Sequence, residues 1–226
     1  MLAKKKYEST ETTLPFELLS KVVTEKRDIT PIDEEIVLDP KKYIVSKTDT
    51  KGIIEYGNEY FVAISGYKES ELVGKPHNII RHPDMPKVIF KLMWDRLESR
   101  RNIFALVKNL SKDGRYYWVM TDFDVKINHA TNETLGYFAY RKAAPKKAVE
   151  KIEKIYAKLI EIEKVSGLKG SEHYFQGYLE ERGQTYDEFI NELTENKGLL
   201  KLWFKAMKKF FATKESHHDR RSSLLS

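Results

Sequence analysis

No cysteine occurs in the 226 residues. That excludes disulfides, thiolate metal sites, iron–sulfur clusters held by cysteine and cysteine nucleophiles. Long apolar runs are missing too. The nearest to one, "LLKLWFKAMKKFF" (Leu199–Phe211), is broken by four lysines, and a bilayer span needs about 20 apolar residues in a row. No apolar stretch follows the lysines of "MLAKKKYEST", so no secretory signal is read and the cytoplasm is the expected compartment. The sequence also lacks a Gly-rich phosphate loop, a nucleophile elbow and a kinase signature, and no enzymatic activity is expected. Internal repeats and low-complexity tracts are absent.

What is present is a soluble composition, 41% hydrophobic and 33% charged, with enough apolar material for a core. The net charge of +6 is localised. Residues 197–226 hold eight basic and two acidic side chains, leaving 32 of each in the first 196. A neutral body without a helix-turn-helix pattern disfavours nucleic acid. The tail has a separate reading. On a helix, Lys201, Lys205, Lys208 and Lys209 share one side, with Leu199, Leu202, Trp203, Ala206 and Phe210 largely opposite. Such a helix over 197–211 suits the inner membrane face or a partner's groove, and equally an ordinary docking helix.

Along the chain, residues 1–40 read as a polar leader with one short amphipathic helix over Leu14–Val23. "YIVSKTD" and "GIIEYGN" are strand-like runs joined by the hairpin signal "TDTKG". "EYFVAISGY" and "ESELVG" are short helices closed by Gly66 and Gly74. "PKVIFKLMWDRLESR" is a longer amphipathic helix, with Asp84 as its expected N-cap. Strand-like runs over 102–110, 116–125 and 134–142 follow. From Pro145 the pattern is helical, with a stop at Gly167 and shorter helices near 171–181 and 185–195. The order predicts an α+β domain over 41–143, an antiparallel sheet with small helices on one face. C-terminal helices over 144–196 and the basic tail over 197–226 complete the chain.

The decapeptide "HNIIRHPDMP" (His77–Pro86) concentrates histidine, Arg81, Asp84 and proline in one loop. Together with "YGNEYFVAISGY", "ELVGKP", the downstream Trp94 and "VKNLSKDGRYYWV", it resembles the PAS domain of bacterial aerotaxis, or energy taxis, receptors. The resemblance covers about residues 43–142. It implies a five-stranded PAS fold that binds FAD noncovalently and passes redox state to a chemotaxis-type partner. It implies flavin contacts at Asn58, Arg81, His82, Asp84, Trp94 and Asn109, with Tyr117 and Trp118 in the matching strand. Such receptors continue into a membrane anchor and a signalling domain. The expectation here is a PAS protein acting through a chemotaxis receptor or other signalling partner, or as a homodimer through the PAS domain or the leader. Without cysteine, the covalent cysteinyl adduct of light-sensing flavin domains is impossible.

The residues support that reading on chemical grounds. A flavin needs apolar walls, amide-type groups for its ring edge, and cations or N–H donors for its pyrophosphate. Phe90 and Trp94 are wall material, Asn58 and Asn109 carry donor and acceptor together, and Arg81 is a fork suited to phosphate. The start of the helix near Asp84 offers its positive dipole end. Plainer roles stand beside these: an N-cap for Asn58, core positions for Phe90, Trp94 and Trp118, a strut between Arg81 and Asp84. Haem b is the rival cofactor, with His77 or His82 as axial ligand, and a cofactor-free interaction scaffold is the rival function. His77 and His82 share no helix face and have no second cluster, so no metal is expected. Asp122 and Asp124 share a strand face and read as a solvated pair.

Overall fold

The computed structural model describes residues 29–194 and 202–210. The leader helix over Leu14–Val23 and the tail positions 197–201 and 211 onward lie outside the described residues. Five strands form one antiparallel sheet in the order β2-β1-β5-β4-β3, with β1 Ile44–Thr48, β2 Ile54–Gly57, β3 Ile103–Leu110, β4 Tyr116–Asn128 and β5 Glu133–Ala143. Between β2 and β3 lie helices α1 (Glu59–Ser65) and α2 (Glu69–Leu72), a 3-10 turn (His77–Ile80) and α3 (Lys87–Glu98). This is the α+β order expected, with β4 and β5 running longer than their apolar cores.

The leader ends in the sheet. Backbone bonds join Ile32 and Ile36 to Gly114 and Tyr116, so residues 32–36 run along the start of β4. Strand register sorts the side chains into two faces. Ser46, Thr48, Tyr137, Ala139, Arg141, Tyr117, Phe123, Val107 and Asn109 share the face towards α1–α3. Phe104, Leu106, Lys108, Trp118, Met120 and Asp122 point the other way, because successive strand residues alternate.

That second face is covered as well. Helix α4 (Lys146–Glu181) buries Ala148, Ile152, Tyr156 and Leu159. Its Tyr156 stacks on Trp118, ring centroids 6.2 Å apart, and donates to the Leu106 carbonyl at 2.9 Å. Gly167 breaks α4 with φ 67°, a left-handed conformation only glycine adopts cheaply, and the helix resumes beyond it. Thr185 then caps α5 (Tyr186–Leu193). A last helix, α6 (202–210), lays Phe204 edge-on against Phe104 and Trp203 against Tyr43.

Here α6 departs from its expected division into faces. Phe204 is its buried residue, whereas Leu202 and Phe210 are exposed. Lys208 faces the sheet and reaches Asp122 at 2.9 Å and Asp124 at 3.0 Å. The two carboxylates therefore form a docking point for α6. Asp122 is buried, not solvated, and burial pushes its carboxyl up to about 6.

The start of α3 corrects a second expectation. Asp84 does not cap it; Pro86 occupies the N-cap and supplies no side-chain bond. The free N–H groups of Lys87 and Val88 donate instead to the Glu163 carboxylate of α4, both at 2.9 Å, and Ser171 holds that carboxylate at 3.1 Å. Lys91–Glu172 at 2.9 Å and Arg96–Asp187 at 2.7 Å add further ties between α3 and the C-terminal helices. Because a carboxylate on two first-turn donors is a strong cap, Glu163→Ala should lower unfolding free energy by about 1–2 kcal/mol. Urea denaturation of the two proteins checks this.

Candidate functional site

Between α3, the 3-10 turn and the inner sheet face lies a cleft of about 210 Å³. About 10–15 Å³ of such space accommodates a water molecule, so this cleft has room for a multi-ring organic molecule. Its walls are largely apolar: Phe90, Met93, Trp94 and Leu97 from α3 face Val107, Phe123 and Tyr137 from the sheet. Trp94 stands edge-on to Tyr137 at 5.4 Å, which fixes both rings.

Four of the nine expected contact residues meet in this cleft: Arg81, Phe90, Trp94 and Asn109. The Arg81 guanidinium lies over the Phe90 ring at 4.0 Å and donates to the Met85 carbonyl at 2.9 Å. A backbone bridge ties Arg81 to Asn109, so the loop and β3 place these two residues together.

The other five lie off the cleft, each for a definable reason. Asn58 caps α1: its Oδ1 accepts from Phe61 N at 3.0 Å and Val45 N at 3.1 Å, and its Nδ2 donates to the Tyr43 carbonyl. With these bonds made, Asn58 serves as a strut between α1 and β1. His82 is buried against Tyr116 and accepts from Asp84 N at 3.0 Å. Burial, then the charge of Lys108, lowers its imidazole to about 4. Asp84 is exposed and pairs with Lys108 at 3.1 Å on the β3 edge. Trp118 belongs to the outer face, against Tyr156. Tyr117 is fully buried on the inner face beside Asn109 and Arg141, beneath the cleft surface.

The helix-dipole expectation for phosphate also changes. The Glu163 carboxylate already occupies the first N–H groups of α3. An anion at that end of the cleft meets only the side chains of Arg81 and Lys87, both of which line it.

Several buried polar atoms on this side have no partner. Asn78 Nδ2 and Asn109 Nδ2, both from cleft-lining residues, are buried without a hydrogen bond, as are the Tyr117 hydroxyl and Thr121 Oγ1. Buried polar groups are almost always satisfied, and rotation of the Asn78 or Asn109 amide would bring an unpaired donor to the cleft.

Arg141 was missed in the sequence and His77 entered it only as a candidate haem ligand; both line the cleft. Arg141 comes from β5 and is 2% exposed. Its Nη1 donates to Ser46 Oγ at 2.9 Å and more weakly to the Ala139 carbonyl at 3.4 Å, and its Nη2 to His77 Nε2 at 2.9 Å. Since arginine only donates, His77 Nε2 is the acceptor and the ring is the neutral tautomer. Burial first, and the guanidinium second, hold its imidazole well below the ordinary value. The signal for Arg141 was its parity, in step with Tyr137 and Ala139 on the inward side of an apolar strand. Among the described residues no group of three or more histidine or acidic side chains is arranged to hold a metal.

The sheet is five-stranded and antiparallel, with short helices and the cleft on one face, and residues 54–137 match the family described as PAS fold. Two curated relatives are similar to it over part of their length. The aerotaxis receptor of Escherichia coli (strain K12) is 36% identical over 116 residues, which is 51% of this chain and 22% of the receptor. The nitrogen fixation regulatory protein of Klebsiella pneumoniae is 27% identical over 84 residues, 37% of this chain and 17% of that protein. The chain thus spans about a fifth of the length of these relatives. A solved PAS domain from Colwellia psychrerythraea is 19% identical with a TM-score of 0.42, covering 46% of this chain and 87% of that one.

Proposed function

We propose that this chain is a redox or energy sensor whose PAS domain binds FAD noncovalently and reports to a signalling partner of the chemotaxis type. One observation carries the reading: an apolar cleft walled by Phe90, Met93 and Trp94 is also lined by Asn78 and Asn109, whose buried amide nitrogens have no hydrogen-bond partner. Those are the walls and edge groups that a flat heteroaromatic ring requires. Arg81 and Lys87 are the cations available to its phosphates. When bound, FAD supplies an electron-accepting ring whose charge depends on its redox state.

The protein's own residues then carry the message. Asn109 sits on β3 and Trp94 on α3, and α3 is tied to α4 and α5 through Glu163, Lys91 and Arg96. A change in how the ligand engages Asn109 or Trp94 shifts α3 against the C-terminal layer, where a partner reads it. A coupling of about 1–3 kcal/mol between ligand state and that packing is typical. The role is that of a sensor, not a catalyst. Haem fits less well, because His77 Nε2 already accepts from Arg141 and His82 lies outside the cleft. Among the described residues no helix is long and apolar enough to cross a membrane.

Protein purified from flavin-replete cells should be yellow, with roughly one FAD per chain by absorbance. Arg81→Ala and Asn109→Ala should each retain less than about a tenth of that flavin, the loss expected when a buried, hydrogen-bonding contact is removed. A colourless wild type would sink the flavin reading. Full flavin in both variants would sink the residue assignment.

A further inference from the structure

We propose that Arg141 is the anion-recognising group of the cleft, and that it makes the protein bind the reduced, negatively charged flavin ring more tightly than the neutral oxidised ring. This rests on the FAD reading. Its own basis is an imbalance of charge. A guanidinium 2% exposed stands at the centre of the sheet with neutral partners only: Ser46, His77 and the Ala139 carbonyl. The aromatic rings of Phe61 and Phe123 lie 5.9 and 6.0 Å from it. No carboxylate among the described residues reaches it.

Buried cations in proteins are normally paired, because a lone charge in an apolar setting carries a desolvation penalty with nothing to offset it. His77 adds no second charge there, because burial first and that same guanidinium second lower its imidazole. The three bonds engage three of the five N–H donors of an arginine, which leaves donors for a ligand. Position sets which part of the ligand arrives there. Arg81 and the exposed Lys87 sit on the loop and first turn beside the cleft, whereas Arg141 rises from β5, the middle strand. The phosphates therefore go to the former and the ring to Arg141.

Two electrons and one proton added to the oxidised ring leave it with one net negative charge. That charge develops in a low-dielectric cleft beside a fixed cation, where the attraction is far stronger than in water. A negative ring also competes with Ser46 and His77 for the guanidinium, so reduction is felt at β1 and at the turn that leads into α3.

The test uses the full chain, stripped of cofactor and titrated with FAD in air and, separately, under anaerobic dithionite as the reductant. The measured quantity is the ratio of the two dissociation constants. Wild type should favour reduced FAD, and Arg141→Lys should keep most of that preference. Arg141→Met should lower the ratio at least tenfold, with Arg141→Gln as the alternative neutral variant if circular dichroism shows the methionine protein unfolded. A neutral variant with an unchanged ratio overturns the inference. So does a wild type that binds both forms equally, whatever the variants do. A wild type that binds neither form fails differently, because it removes the FAD reading itself.

Discussion

Replacing Lys208 by methionine is expected to lower unfolding free energy by about 2–4 kcal/mol at pH 8, and by far less at pH 5, because it breaks a buried ion pair. Lys208 bonds Asp122 Oδ2, while Asp122 Oδ1 is buried with no partner at all. Burial raises the Asp122 carboxyl from 3.8 to about 6, and Lys208 is the main influence opposing that rise. The sign follows from linkage. A carboxyl whose folded value lies above its unfolded one binds its proton more readily in the folded state. Its contribution is fully present below pH 3.8 and is lost as pH climbs through about 6. Without Lys208 the folded value rises further, so the gap between variant and wild type opens above pH 6. Chemical denaturation at pH 5 and pH 8 reads this directly. A double variant that also carries Asp122→Asn should recover most of the loss, since no buried charge remains to be paired. Equal losses at both pH values would assign the effect to lost packing of α6.

The second large effect is at Gly136, where alanine should cost about 3–5 kcal/mol through backbone strain and a main-chain clash. Gly136 adopts φ 148°, and a Cβ there would sit 2.1 Å from the Thr48 carbonyl oxygen and 3.2 Å from Asp49 Cα. Neither neighbour is a side chain that can swing away. Relief requires β1 and β5 to part at the point where Thr48 pairs with Tyr137. Those strands bring Ser46 and Arg141 within hydrogen-bond reach, 2.9 Å, so the variant should lose ligand binding together with stability. A thermal melt of Gly136→Ala, alongside Gly74→Ala as the comparison with open space around it, separates this clash from the general cost of losing a left-handed glycine.

Much of the architecture was legible from hydrophobic periodicity and from Gly66, Gly74 and the Asp-Gly turn, because each acts locally. The cleft was only partly legible, and the failures share a physical origin. The sheet is covered on both faces, so alternation along β4 carries no inside–outside contrast. Tyr117 and Trp118 are both large, both buried and adjacent, and nothing in "YYWV" says which one turns towards α3. Asn58 illustrates another limit: an N-cap and a ligand contact demand the same side chain, and here the cap and two β1 bonds use it fully. Asp84 was expected to cap α3 from nearby in sequence, whereas the cap comes from Glu163, 76 positions beyond Lys87. Long-range partners of this kind leave no local pattern. Arg141 was hidden for a related reason: its importance lies in the carboxylate that does not accompany it.

The distant cap bears on synthesis. As the chain leaves the ribosome, residues 54–137 emerge before the carboxylate that finishes the wall carrying Phe90 and Trp94. A fragment trimmed to that segment would leave the first turn of α3 frayed and would bare Leu106 and Trp118 to water. The cleft wall and the helices behind it are in this respect one folding unit: α3 receives its cap only after Glu163 has been translated.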